Sequence, residues 1–202
     1  MSEIKVIYEE FYNIDVNDHS RFVEFYKDNS LYFENKKTFT DYNDFICFTQ
    51  VVTKFIIGLE NNGRYQKTIE YADKYNKILA DYISNNNLDL NDFNYYWSNL
   101  TSKGRAAFQL KDYKSAIEVF EELSEWDKEN DYFKNWLKAA KHRKRNAYNK
   151  LIYIGALVFF LLAVLADDRD VSSLFLVSGF ILALVASIND YIGNKAIKWS
   201  NE

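Results

Sequence analysis

Apolar residues fill two almost uninterrupted blocks near the C-terminal end of the 202-residue chain, over residues 151–166 and 171–188. As helices, at about 1.5 Å per residue, the blocks would extend roughly 24 and 27 Å, close to the ~30 Å hydrocarbon layer of a bilayer. A soluble helix normally keeps a polar stripe, and the first block offers only one tyrosine hydroxyl. The pattern predicts a transmembrane helical hairpin over residues 151–188. The alternative interpretation is a helical hairpin buried in a soluble core.

The charges beside these blocks indicate the orientation of the hairpin. Residues 138–150 carry six Lys or Arg and no acidic residue, the loop 167–170 carries three Asp and one Arg, and Lys195 and Lys198 follow the second block. Because positively charged flanks stay on the cytoplasmic side, both termini and the tail 189–202 are predicted to be cytoplasmic. A basic segment beside a span favours anionic lipid headgroups over nucleic acid. The predicted membrane-surface residues of the juxtamembrane segment 141–150 are Lys141, Arg143, Lys144, Arg145 and Lys150.

Small residues recur at every fourth position of the second block, at Gly179, Ala183 and Ser187. Such a stripe lets another helix approach closely inside a bilayer. The stripe therefore predicts helix packing in the membrane. Its partner is either the first block of the same chain or a neighbouring protomer of a homo-oligomer.

The region before the basic run consists of shorter amphipathic segments separated by turns. The chain has no proline and only six glycines, so few residues interrupt helices. Turns of two to five residues imply antiparallel neighbouring helices, and the predicted fold is all-α. We expect an N-terminal helical or irregular segment over residues 1–37, whose first 17 residues form a short helix or a docking strand, and a helical domain over residues 38–140. Helices are predicted over residues 20–33, 41–60 (capped by Thr38 or Thr40), 64–83, 90–110 and 113–124, and a last one from about residue 131 into the first apolar block.

One stretch, residues 97–128, has the pattern of a two-helix repeat. Gly104 and Ala116 are small residues of this stretch, and Tyr113 and Phe120 are large aromatic ones. This stretch resembles a tetratricopeptide repeat, with Lys128 in place of the usual terminal proline. The resemblance places Gly104 and Ala116 where two helices cross, and Tyr113 and Phe120 in the space beside that crossing. The resemblance implies a stack of antiparallel helical hairpins that offers a groove to a protein or peptide. The residues that the resemblance places in that groove are Ser98, Thr101, Arg105 and Gln109.

Within this groove Arg105 has two interpretations. Its guanidinium is suited to pair with an acidic group of a ligand. The alternative is that the four residues form an ordinary solvated helix face.

Groups suited to catalysis are scarce in this sequence. Asp15, Asp18 and His19 are spaced to hold a metal or relay a proton, but the favoured interpretation is a cap and turn at the start of a helix. The single cysteine, Cys47, lies in an apolar run and is interpreted as a core residue. The sequence has no glycine-rich phosphate loop and no nucleophile elbow. We therefore predict no enzyme activity, no cofactor and no metal site.

Charge narrows the choice of partner. Residues 1–137 carry 16 basic and 24 acidic residues, a net charge of −8, which disfavours nucleic-acid binding. The leading hypothesis is a membrane-anchored adaptor or scaffold that binds a protein or peptide at the cytoplasmic face of a membrane. The alternative is an oligomeric membrane effector or pore-forming protein whose repeat-like domain drives assembly.

Overall fold

A computed structural model describes the backbone of residues 3–199 and the side chains of residues 3–191. This part of the chain forms α-helices and no strand, as the all-α prediction requires. The chain divides into a first unit, residues 1–137, and a second unit, residues 138–202. The helices are α1 (Glu3–Tyr12), α2 (His19–Asp28), α3 (Ser30–Asn35), α4 (Tyr42–Asn61), α5 (Tyr65–Asn85), α6 (Asn94–Gln109), α7 (Tyr113–Trp126), α8 (Asp131–Leu165) and α9 (Arg169–Trp199), with a short 3-10 helix at Leu90–Asp92.

Local sequence signals determine where several of these helices begin and end. The Asp18 carboxylate accepts a hydrogen bond from the Arg21 backbone N–H at the start of α2, 2.9 Å away. At α4 the capping residue is Asp41, which accepts from the backbone N–H of Asn43 at 2.6 Å, so the expectation of Thr38 or Thr40 was wrong. Gly63 ends α4 with a φ of +70°, a left-handed conformation that glycine adopts without strain.

The N-terminal segment is helical and belongs to the core of the first unit. Ile4 and Phe11 of α1 are buried in one apolar cluster with Phe48 and Val52 of α4. The helix predicted over residues 20–33 is divided at Asn29 into α2 and α3. A docking strand was the second option for the first 17 residues, and α1 shows that they form a helix instead.

Helix α2 approaches α4 closely at a glycine. A Cβ atom placed on Gly58 would lie 2.7 Å from the His19 carbonyl oxygen. Beside this contact the Tyr26 ring of α2 stacks on the Phe55 ring of α4, with centroids 3.6 Å apart. Aromatic rings of the N-terminal helices therefore pack against the buried face of α4.

The second unit contains two long apolar helices. α8 enters the unit at Lys138 and ends at Leu165, and α9 begins at Arg169 after a short connection. The Asp168 carboxylate caps α9 by accepting from the Asp170 backbone N–H at 2.8 Å. Two helical segments, Asp131–Leu165 and Arg169–Tyr191, are long and apolar enough to cross a membrane. Only 17 % and 11 % of their apolar windows are buried, whereas a core helix of a soluble protein would be mostly buried.

Candidate functional site

The four predicted groove residues lie along one face of α6. Ser98, Thr101 and Arg105 are half-buried and Gln109 is exposed. The Thr101 hydroxyl donates to the Trp97 carbonyl oxygen of its own helix, 2.8 Å away. The structure therefore brings the four positions into one row, as their spacing predicts.

Arg105 is bound within the first unit. Its Nη2 donates to Glu60 Oε2 of α4 at 2.6 Å, and its Nη1 donates to the Tyr132 hydroxyl at the start of α8 at 2.8 Å. Burial lowers the pKa of Arg105, but the hydrogen bond and charge of Glu60, together with the Tyr132 hydroxyl, outweigh burial and hold the pKa above its ordinary value. Arg105 thus ties three helices of the first unit together.

The α6–α7 pair has the close crossing that the repeat pattern predicts. A Cβ atom on Gly104 would lie 2.8 Å from Val119 Cγ1 and 3.0 Å from Phe120 Cζ. Ala116 and Phe120 are fully buried at the same crossing. Lys111 turns the chain between the two helices with a φ of +65°. A side chain larger than hydrogen at position 104 would push α6 and α7 apart.

A cleft of about 340 Å³ opens on the other face of α6, between α5 and α7. At 100° per residue, the α6 residues of this cleft lie opposite the row from Ser98 to Gln109. Apolar side chains and acidic side chains line the cleft together. The lining residues are Ile69, Asp73, Leu100, Lys103, Ala107, Asp112, Ser115, Glu118, Val119 and Glu122.

The charges of this cleft are strongly unbalanced. Asp73, Asp112, Glu118 and Glu122 line the cleft with one cation, Lys103, whose Nζ lies 2.5 Å from Asp73 Oδ1. A second cation, Lys114, is not part of the lining and lies 3.9 Å from Glu118 Oε1. Burial raises the pKa of Glu122, and Lys103 offsets only part of that effect. The cleft is therefore an acidic surface with an apolar floor, which sequence reasoning missed because its members come from three helices.

Asp112 has a separate structural task at the edge of the cleft. Its carboxylate caps α7 by accepting from the Ser115 hydroxyl at 2.7 Å and from the Ser115 backbone N–H at 3.2 Å. These hydrogen bonds lower the pKa of Asp112. Its negative charge is thus retained at the start of α7.

The predicted membrane-surface residues precede the apolar part of α8 in the second unit. Lys141, Arg143 and Lys150 are exposed, and Lys144 and Arg145 are half-buried. Lys195 and Lys198 lie outside the residues whose side chains are described. The basic run therefore lies on the α8 helix itself rather than on an irregular linker.

The small-residue stripe contacts the first span of its own hairpin. A Cβ atom on Gly179 would lie 3.0 Å from the Phe160 ring and 3.2 Å from the Ala156 carbonyl oxygen. Ala183 is half-buried, and the Ser187 hydroxyl is exposed and lies 3.3 Å from the Tyr153 hydroxyl. The most buried residue of this part of α9 is Ala186, one position before Ser187.

Polar side chains of α8 and α9 meet at the end of the hairpin where the first apolar block begins and the second one ends. Asn149 is only 2 % exposed, and its amide N–H donates to the Asp190 carboxylate. The Asn149 carbonyl oxygen accepts from Asn189 Nδ2 at 2.7 Å, and the Tyr153 hydroxyl donates to Asp190 Oδ2 at 3.3 Å. Sequence reasoning missed this cluster, although Asn149 and Tyr153 are spaced four apart at the start of an apolar block.

The possible metal or proton-relay residues form local turns. Asp15 accepts from the Asn17 backbone N–H at 2.8 Å, and Asp18 caps α2 beside His19. Within the described residues no group of three or more His, Cys, Asp or Glu side chains is placed to hold a metal ion. Cys47 is half-buried, and burial raises the pKa of its thiol.

Comparison with known proteins adds no relative to this description: no family model matches the chain, and no curated protein and no solved structure is significantly similar to it.

Proposed function

We propose that the protein is a membrane-anchored adaptor that holds a protein or peptide partner at the cytoplasmic face of a membrane. The observation that carries this proposal is the pairing of two opposite kinds of surface in one chain. The first unit buries its apolar side chains and offers an acidic cleft, whereas the second unit leaves the apolar surface of two long helices uncovered. A lipid bilayer is the solvent that suits the second surface.

The proposed topology has two spans with both termini in the cytoplasm. The basic residues from Lys141 to Lys150 support this orientation because they precede the first apolar block, and the short acidic connection then faces the other side. The first unit, which is acidic, is accordingly a cytoplasmic domain. Its tetratricopeptide-like character is supported by the close α6–α7 crossing at Gly104.

The partner that fits the acidic cleft is a basic peptide segment with apolar residues. Lys and Arg side chains would pair with Glu118 and Glu122, while an apolar side chain would contact Ile69, which is half-buried. The predicted row on the opposite face of α6 is less suited to bind an acidic ligand, because the Arg105 guanidinium already holds Glu60 and Tyr132. We therefore assign the partner surface to the cleft.

Site-specific photo-crosslinking in native membranes tests this assignment. A photo-reactive residue at Ser115 places the probe in the cleft, and one at Gln109 places it on the exposed end of the predicted row. We expect adducts with a defined partner from position 115, and their loss when Glu118 and Glu122 are both changed to Gln. Adducts formed only from position 109 would move the partner to the predicted row. The absence of adducts from either position would argue against an adaptor.

The alternative function is an oligomeric membrane effector. Ser187 supports it, because this residue is exposed on the hairpin, although its hydroxyl donates to the Ala183 carbonyl oxygen of its own helix. Gly179 supports the simple anchor, because it packs on the first span of the same chain. The mass of the protein in mild detergent separates the two: one chain per particle favours the anchor, and a defined oligomer with ion leak in liposomes favours the effector.

A further inference from the structure

A second cleft, of about 560 Å³, lies within the second unit. It is at the end of the hairpin where the first apolar block begins and the second one ends. Four of its residues, Asn146, Asn149, Lys150 and Tyr153, lie along one stripe of α8, and Asp190 of α9 completes its polar part. Ile154 and Leu157 continue the same stripe of α8 into the apolar block. The cleft thus has a polar end and an apolar end, one helical turn apart.

The polar end carries one positive and one negative group. The Asp190 carboxylate is held in place by Asn149 and Tyr153, which are neutral donors. Among the described residues Asp190 has no cationic partner, and Lys150 has no anionic one. Neutral donors stabilise this carboxylate but leave its negative charge uncompensated, and a charge at the edge of a bilayer is favoured when an opposite charge pairs with it. This position therefore favours a ligand that brings a cation for Asp190 and an anion for Lys150.

We propose that this cleft binds a phospholipid whose headgroup contains a primary ammonium, such as phosphatidylethanolamine. The ammonium donates hydrogen bonds to Asp190, and the phosphate accepts from Lys150 and the Asn146 amide. The inference rests on the proposed insertion of the hairpin in a membrane.

The apolar end of the cleft makes a lipid the fitting occupant. Ile154 and Leu157 are 48 % and 58 % exposed, so an acyl chain that lies along them is continuous with the lipid around the first span. A free zwitterion of the same charge would leave this apolar surface without a partner. The position of Lys150 directly before the apolar block also matches the depth of a lipid phosphate.

Asp190 is expected to discriminate between headgroups. A carboxylate accepts hydrogen bonds from a primary ammonium, but the quaternary ammonium of phosphatidylcholine has no N–H to donate. Phosphatidylglycerol has no cation at all. A hydrogen bond to a charged group contributes enough free energy for a preference of about ten-fold.

Native mass spectrometry of the full-length protein in mild detergent tests the proposal, with phosphatidylethanolamine, phosphatidylcholine and phosphatidylglycerol supplied in equal amounts. We expect about ten-fold stronger retention of phosphatidylethanolamine over phosphatidylcholine. Asp190→Asn should abolish this preference and leave phosphatidylcholine binding unchanged, which also reports that the hairpin is folded. Lys150→Gln should weaken both lipids alike, because both carry the phosphate. The matched control, Lys128→Gln, removes one exposed positive charge of the first unit, outside the cleft and outside the basic run, and should have no effect.

Several results would overturn the inference. These are equal retention of the three lipids, a preference for phosphatidylglycerol that is unchanged in Asp190→Asn, and a loss in Lys128→Gln as large as that in Lys150→Gln. Extraction of the full-length protein from membranes by alkaline carbonate without detergent would remove both this inference and the proposed function. A protein that resists carbonate but shows no lipid preference would remove only this inference.

Discussion

The two units of this chain distribute their side chains in opposite ways. In the first unit the large apolar residues are inside: Phe48 and Leu79 have no exposed surface. In the second unit the large apolar residues are outside, with Leu184 62 % exposed, while the amide Asn149 and the small Ala186 are buried. The same kinds of residue therefore occupy opposite positions in the two units.

Under the proposed membrane insertion, the difference follows from the solvent around each unit, which is water for the first and lipid for the second. In water, burial of a large apolar side chain stabilises a fold by about 1.5–3 kcal/mol, so the first unit is held by its aromatic core. In lipid this driving force is absent, and helices associate through close packing of small residues and hydrogen bonds between polar ones. Gly179 against Phe160 and Asn149 against Asp190 are these two kinds of contact.

Matched leucine truncations test the comparison most strongly. Leu79→Ala opens a cavity in the first unit and should cost about 2–5 kcal/mol of unfolding free energy. Leu184→Ala removes an exposed side chain of the hairpin and should change this free energy by less than about 0.5 kcal/mol. Thermal unfolding in mild detergent, followed by tryptophan fluorescence, measures both. Similar losses in the two variants would mean that the hairpin is an ordinary apolar core.

Introducing a charge at one exposed leucine of each unit tests whether water or lipid surrounds that leucine. Leu161, in the first apolar block, is 55 % exposed, and Leu31 in the first unit is 83 % exposed. Leu161→Lys should disfavour insertion by about 2.5–3.5 kcal/mol, whereas Leu31→Lys should change stability by no more than about 0.5 kcal/mol. The fraction of full-length protein that resists alkaline carbonate extraction measures the first effect. An unchanged fraction in Leu161→Lys would argue against lipid contact at this position.

Features encoded by neighbouring residues were predictable from the sequence. The two apolar blocks identify α8 and α9 because each is a long uncharged run, and Gly63 marks the end of α4 because glycine adopts a positive φ freely. Gly104 and Ala116 predicted the α6–α7 crossing, because the resemblance to a tetratricopeptide repeat places one small residue of each helix at that crossing. Each of these signals lies within a few turns of one helix or hairpin.

Features that join distant residues were not predictable in the same way. Arg105 donates a hydrogen bond to Glu60, which is 45 positions away in the chain, and Asn149 donates one to Asp190, which is 41 positions away. No local pattern reports such pairs, because they exist only after the helices have packed. Asp41 was missed for a smaller reason: two threonines and an aspartate are all acceptable caps within four residues, and the backbone decides among them.

Substitutions at two glycines, Gly104 of the first unit and Gly155 of the second, compare how closely helices pack in the two units. Gly104→Leu would force a side chain between Val119 and Phe120 and should cost about 1–3 kcal/mol of unfolding free energy. The control is Gly155→Ala in α8, where the new Cβ atom would lie an ordinary 3.7 Å from Leu182 Cδ1 and should be tolerated. The thermal midpoint of each variant measures the effect. A neutral Gly104→Leu would show that α6 and α7 do not cross as closely as described.

The smallest predicted effect concerns a charged group inside the first unit. Burial raises the pKa of Glu34, but the hydrogen bonds from Lys74, Tyr26 and Tyr71 and the charge of Lys74 together outweigh burial. They hold the pKa of Glu34 below its ordinary value of 4.5. Because Glu34 is more acidic in the folded state, its stabilisation is present above pH 4.5 and is lost as the pH falls through the lowered pKa.

Comparison of the wild type with Glu34→Gln isolates this effect from Asp112, whose pKa is also lowered. At pH 7 the variant should be less stable by about 0.2–1 kcal/mol, the range for a partly exposed ion pair. The gap should close as the pH falls below 4.5, when thermal unfolding is measured at a series of pH values. A gap that stays constant would mean that Glu34 acts through hydrogen bonds that do not depend on its charge. The polar contacts of the first unit would then resemble those of the hairpin, where Asn149 and Tyr153 hold Asp190 through neutral donors.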